Sequence, residues 1–217
     1  MNKTKLLNRA KLLSIFTILY NLIEGVISIF YGVTDETLAL FGFGVDSFVE
    51  VISGVGILHM VFRMQKSDVE THDKFEKTAL SITGYAFYLL AVGLVSGVAV
   101  NVYLNVKPET TLVGIIVSII SILTMYVLMK AKMNVGIALN SDAIIADANC
   151  TKTCFYLSFI LLASSLLYTV WGIQYFDLLG SLGIAYFAYS EGKEALEKVK
   201  SGNISCNCSD HCEANDK

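Results

Sequence analysis

A chain of 217 residues that is 54% hydrophobic and only 16% charged has too little polar surface to coat a water-soluble globule. With a single proline and long apolar runs it reads as an all-α polytopic membrane protein, because a helix needs roughly 20 apolar residues to cross the hydrocarbon core. The net charge of −3 matters less than where the charges lie, and no nucleic-acid partner is expected.

The first run, Leu12–Tyr31, carries Glu24 at its centre, three residues after Asn21. No small-residue cleavage site follows it, which makes it a span and not a removable signal. A short link with Asp35 and Glu36 leads to the second run, Leu38–Phe62, which contains FGFGVDSFVEVISG. Asp46 and Glu50 stand four residues apart there and share one helical face. Acids in mid-span are costly unless they meet a cation, a proton or water, so the pair marks a functional site.

A polar loop, Gln65–Lys77, holds Asp68 and His72. The third run, Ala79–Leu104, and the fourth, Leu112–Met129, are uncharged and read as scaffold. The fifth, Val135–Trp171, is long and its first half is polar, LNSDAIIADANCTKTC. The sixth, Tyr175–Tyr189, is short, has Asp177 near its start, and continues into water as SEGKEALEKVK. This gives six transmembrane helices in a membrane domain over residues 1–200, and a Cys/His-rich tail over 201–217 that is too polar to form a core.

Lysine and arginine alternate along the connections. Lys3, Lys5, Arg9 and Lys11 lie at the amino end, Arg63, Lys66, Lys74 and Lys77 in the second connection, Lys130 and Lys132 in the fourth, and Lys193, Lys198 and Lys200 at the carboxyl end. The first and fifth connections have none and the third has only Lys107. Both termini are therefore expected in the cytoplasm. Cys206, Cys208, His211 and Cys212 of the tail would then face a reducing compartment, where clustered cysteines favour metal over disulfides.

Orientation fixes depth. The second run enters from outside and the fifth from the cytoplasm, so at about 1.5 Å per residue Asp46 and Glu50 fall at the level of Cys150 and Cys154, near the midplane. Asp147 lies close to the cysteine stripe, and Asp142 is a further step toward the cytoplasm on roughly the same side, an access path to the site. Two carboxylates with two thiols suit zinc or cadmium better than magnesium, calcium or manganese. Four anionic ligands around one divalent ion leave excess negative charge, so proton exchange on metal binding is expected. Free cysteine also packs as a small hydrophobe, and Glu24 reads equally as a proton carrier or as a partner of Lys152 or Asn21.

ALFGFGVDSFVEVISG and ADANCTKTC together resemble the cation diffusion facilitators, six-span exporters of zinc and related divalent metals. The likeness extends over residues 10 to 200. It implies that Asp46 and Glu50 are ligands from the second span, and that Cys150 and Cys154 occupy the places of the family's His-x-x-x-Asp pair in the fifth. It also implies proton antiport by a homodimer within the bilayer. Cysteine at both positions points toward cadmium or another thiophilic ion. The family's soluble carboxyl-terminal domain has no room here, and Asp68 and His72 match its metal-binding loop only loosely.

The expected activity is export of a divalent transition metal, with no resident cofactor. The alternative is a membrane metal sensor or metal-binding protein that moves no ion. No HExxH pair, GxSxG elbow or phosphate-binding glycine loop argues for an enzyme.

Overall fold

The computed structural model describes residues 3–35, 37–67, 74–105, 107–109 and 111–201. Its elements are six helices: α1 (Lys3–Thr34), α2 (Leu38–Ser67), α3 (Lys74–Leu104), α4 (Leu112–Leu139), α5 (Asp142–Trp171) and α6 (Tyr175–Ser201). The protein is an all-α polytopic membrane protein. The first five helices are long and apolar enough to cross a membrane. In α6 the apolar stretch gives way to the charged half that begins at Glu191.

Burial is inverted relative to a soluble bundle. On α1 the inward stripe is Ser14, Thr17, Asn21, Glu24 and Ser28, a spacing of three and four residues that stays on one face. The opposite face exposes Leu12, Phe16, Leu19, Ile23, Val26 and Phe30. Such a continuous apolar surface is unfavourable in water and is what acyl chains accept. Without a hydrophobic drive between helices, close contact and buried polar groups hold the bundle together. Gly44 illustrates the first: a β-carbon there would stand 2.7 Å from the Ile29 backbone nitrogen of α1. Ser158 illustrates the second, donating across to Ser121 of α4 at 2.9 Å.

α2 is the central element. It packs against α1, α3, α5 and α6, while α4 bridges α1 and α5, and α3 lies along α6. Leu40, Phe43 and Val49 of α2 meet Leu90 and Leu94 of α3, Leu157 and Leu161 of α5 and Ile184 of α6 in the main apolar core. At one end of the bundle Asp177 of α6 caps α2. The Leu38 and Ala39 amides donate to its two carboxylate oxygens at 3.0 and 3.3 Å, satisfying two N–H groups that a helix start leaves unpaired.

Two expectations are corrected here. The fifth run does not begin at Val135: Val135–Leu139 close α4, and a turn at Asn140 and Ser141 separates it from α5. Asn140 takes a left-handed conformation at φ 50°, and Ser141 Oγ accepts from the Ile144 amide at 3.4 Å. These are the stop and start signals that polar residues supply at helix junctions. By the same shift Lys132 is not a loop charge but a residue of α4, only 2% exposed.

Candidate functional site

The two acids of α2 face a cavity of about 60 Å³, space for a few waters, walled mainly by α2, α5 and α6 and completed by Thr17 of α1, Leu80, Thr83 and Phe87 of α3 and Lys132 of α4. Asp46 is 3% exposed, and Glu50 lies one turn along the same side. From α1, Asn21 Nδ2 donates to Glu50 Oε2 at 2.7 Å, and the fully buried Asn21 thereby fixes that carboxylate's direction. α5 contributes Asp147, Cys150, Thr151 and Thr153 to the same cavity. The expected juxtaposition of the second and fifth runs is therefore present in three of the four side chains, with Asp147 as a further member.

Cys154 stands apart. It packs with Met125 and Leu128 of α4, and its thiol donates to the Cys150 carbonyl at 3.2 Å. A four-residue step turns a side chain by about 40° around the helix, which here separates two faces of α5. Cys150 and Leu157 look toward α2 and α6, whereas Cys154 and Ser158 look toward α4. Both cysteines are thiols. Among the described residues no three His, Cys, Asp or Glu side chains are grouped tightly enough to hold one ion.

Lys132 is the cavity's buried cation. Its Nζ lies 2.9 Å from Asp147 Oδ2 and donates to Thr151 Oγ1 at 3.0 Å. Glu191 of α6 is also in the wall, accepting from Thr153 Oγ1 at 2.9 Å. Further toward the end of α6, Glu194 and Lys198 line the cavity and pair with each other. Neither Lys132 nor Glu191 is among the expected site residues. The signal for both is periodicity carried past an apolar run: Ser121, Met125, Leu128 and Lys132 follow one stripe of α4, and Ile184, Ala188, Glu191 and Ala195 one stripe of α6.

Glu24 does not line this cavity, though it stands near enough to act electrostatically on Asp46 and Glu50. Tyr20 Oη donates to Oε1 at 2.8 Å and Ser47 Oγ to Oε2 at 3.2 Å. Lys152 is not its partner; it is exposed, with Nζ 5.8 Å from the Tyr156 ring centroid. Asp142 opens α5, and its side chain lies outside the described residues. The same holds for Asp68 and His72, and for Cys206, Cys208, His211 and Cys212 of the tail.

No protein-family model matches the chain, and no curated protein matches it. The resemblance to cation diffusion facilitators stands on its two motifs alone.

Proposed function

We propose that this protein is a secondary transporter that carries a divalent transition metal ion, zinc or cadmium, out of the cytoplasm in exchange for protons. The observation that carries this reading is that Asp46 and Glu50 of α2 and Asp147 and Cys150 of α5 line one cavity inside the helix bundle. Carboxylates inside a membrane bundle are tolerated where a cation or proton visits them. Oxygen ligands with one thiol hold borderline-soft ions, and the same carboxylates hold protons when the ion has left.

Cys150 is the thiol ligand in this reading, and Cys154 sets the α4–α5 packing behind it. Asp147 guides the ion, with Asp142 farther along α5. Lys130 and Lys132 both fall within α4 and leave the count of loop charges, and the reading of cytoplasmic termini is supported by the lysines and arginines at the amino end, in the second connection and at the carboxyl end. The exposed apolar faces of the helices offer room for a second copy within the bilayer, in keeping with a homodimer.

Proteoliposomes loaded with a fluorescent metal indicator test the proposal. The wild-type protein should move cadmium or zinc down a gradient and respond to an opposing proton gradient, and Asp46→Ala should not. Binding without accumulation would favour a membrane metal sensor instead. Unchanged flux in Asp46→Ala would remove the site assignment.

A further inference from the structure

A buried ammonium is the least expected member of the cavity. Lys132 is 2% exposed on a helix that otherwise presents serines and apolar side chains to the bundle. Burying a lysine in a membrane protein is expensive unless an anion meets it, and Asp147 does so directly. Thr151 Oγ1 accepts a second bond from the ammonium while donating to the Asp147 carbonyl, so the contact is held from both sides.

The position of this pair matters more than its existence. The cavity wall that contains Lys132 and Asp147 also contains Asp46, Glu50 and Glu191. Carboxylates gathered in a small, weakly polarisable space repel one another and attract whatever positive charge is available. The cavity's other lysine, Lys198, lies farther along α6, paired with Glu194 within its own helix. Lys132 is the cation that reaches in from α4 and holds a carboxylate of α5.

We infer that Lys132 is the resident counter-cation of the acidic cavity, the group that an arriving divalent ion displaces from Asp147. This rests on the transport reading above and adds to it a positioning residue, on α4, that the two motifs do not contain. Its physical content is competition. Four lysine methylenes let the ammonium withdraw without movement of α4, and an ion of charge +2 outbids it for the carboxylates. When the ion leaves, the ammonium returns and the site is not left as a set of bare anions. Lys132 thus weakens ion binding and in doing so speeds release, the balance that a carrier needs and a storage site does not.

The test uses the full-length chain in nanodiscs with Cys154, Cys206, Cys208 and Cys212 replaced by serine, so that Cys150 is the remaining thiol. Two quantities are read for Lys132→Gln, Lys132→Arg and the neutral pair Lys132→Gln with Asp147→Asn. One is the ratio of Cys150 modification rates by a cationic and an anionic methanethiosulfonate, which reports the charge of the cavity. The other is cadmium affinity by calorimetry.

Loss of the ammonium should raise the cationic-to-anionic ratio by about tenfold and tighten cadmium binding by a similar factor, as expected for a unit charge a few ångströms away in a medium of intermediate dielectric. Lys132→Arg should keep both near wild type. The neutral pair should return both toward wild type, because one charge of each sign is gone, and it supplies a folded variant where Lys132→Gln alone leaves Asp147 uncompensated. A ratio unmoved in Lys132→Gln, or one raised tenfold in the neutral pair as if no acid had been lost with the cation, overturns the inference, whatever cadmium does. A shifted ratio in a protein that binds no divalent ion overturns the transport reading instead and leaves Lys132 as the cavity's own cation.

Discussion

On one side of α2, Glu24 is buried and fully engaged: Tyr20 and Ser47 each give a hydrogen bond to one of its oxygens. On the other, Asp46 and Glu50 face a cavity together with Asp147, Cys150, Glu191 and Lys132. Asp46 and Ser47 are adjacent in sequence but point about 100° apart around the helix, so one element serves both regions. Burial of an acid is common to the two. What differs is the immediate company: hydroxyl donors on α1 and α2 hold Glu24, which stands near enough to repel Asp46 and Glu50, whereas those two face open volume and a lysine. A carboxylate in a span becomes a candidate for ion handling through what else shares its space.

Neutralising one acid in each region should separate the two. Asp46→Ala should reduce cadmium or zinc flux in proteoliposomes by at least about a hundredfold, the scale of losing a charged ligand worth several kcal/mol. Glu24→Gln, which keeps the size and one acceptor oxygen and sets the amide NH2 against the other hydroxyl, should stay within about threefold of wild type by the same measurement. Equal losses in the two variants would erase the distinction between a closed acid and a cavity acid.

The cysteines divide the same way. Cys150→Ser exchanges a soft ligand for a hard one in the cavity and should shift the cadmium-to-zinc transport ratio by about tenfold toward zinc. Cys154→Ser should leave that ratio alone while lowering stability by about 1 kcal/mol, because it sets a hydroxyl beside Met125 and Leu128. Competition transport with the two ions, alongside thermal unfolding in detergent, reads both effects.

Two smaller effects concern the frame. Gly44→Val would bring a side chain against the Ile29 backbone of α1 and should destabilise the protein by about 2 kcal/mol, disturbing Glu24 and Asp46 together since α1 packs on one face of α2 and the cavity lies at another. Asp177→Ala removes the cap on Leu38 and Ala39 and should lower stability by about 1 kcal/mol, leaving the ion preference unchanged. A changed preference would mean that Asp177 belongs to the ion path and is more than a cap.

The helix count, the two acids of α2 and their matching with the cysteine stripe of α5 were read from the chain, and of that stripe Cys150 lines the cavity while Cys154 does not. Run lengths near the thickness of a bilayer and a four-residue spacing are local properties that need no partner to be read. The α4–α5 junction was signalled by Asn140 and Ser141, but an apolar run on either side of the turn hid it. Hydropathy also ended the fourth run before Lys132 and sent Glu191 into water, because an averaged window treats a charge as a boundary.

By itself the sequence determined that the chain spans a membrane as helices and that α2 carries acids which require a partner. Only the tertiary structure decided which partners they have. Cys150 and Cys154 have the same spacing as Asp46 and Glu50, yet the packing of α5 against both α2 and α4 places one thiol in the cavity and the other in a cluster with Met125 and Leu128. Lys132 and Glu191 enter the site for a similar reason. A charge at the end of an apolar run is solvated or buried according to the helix packed beside it, and that neighbour is distant in sequence.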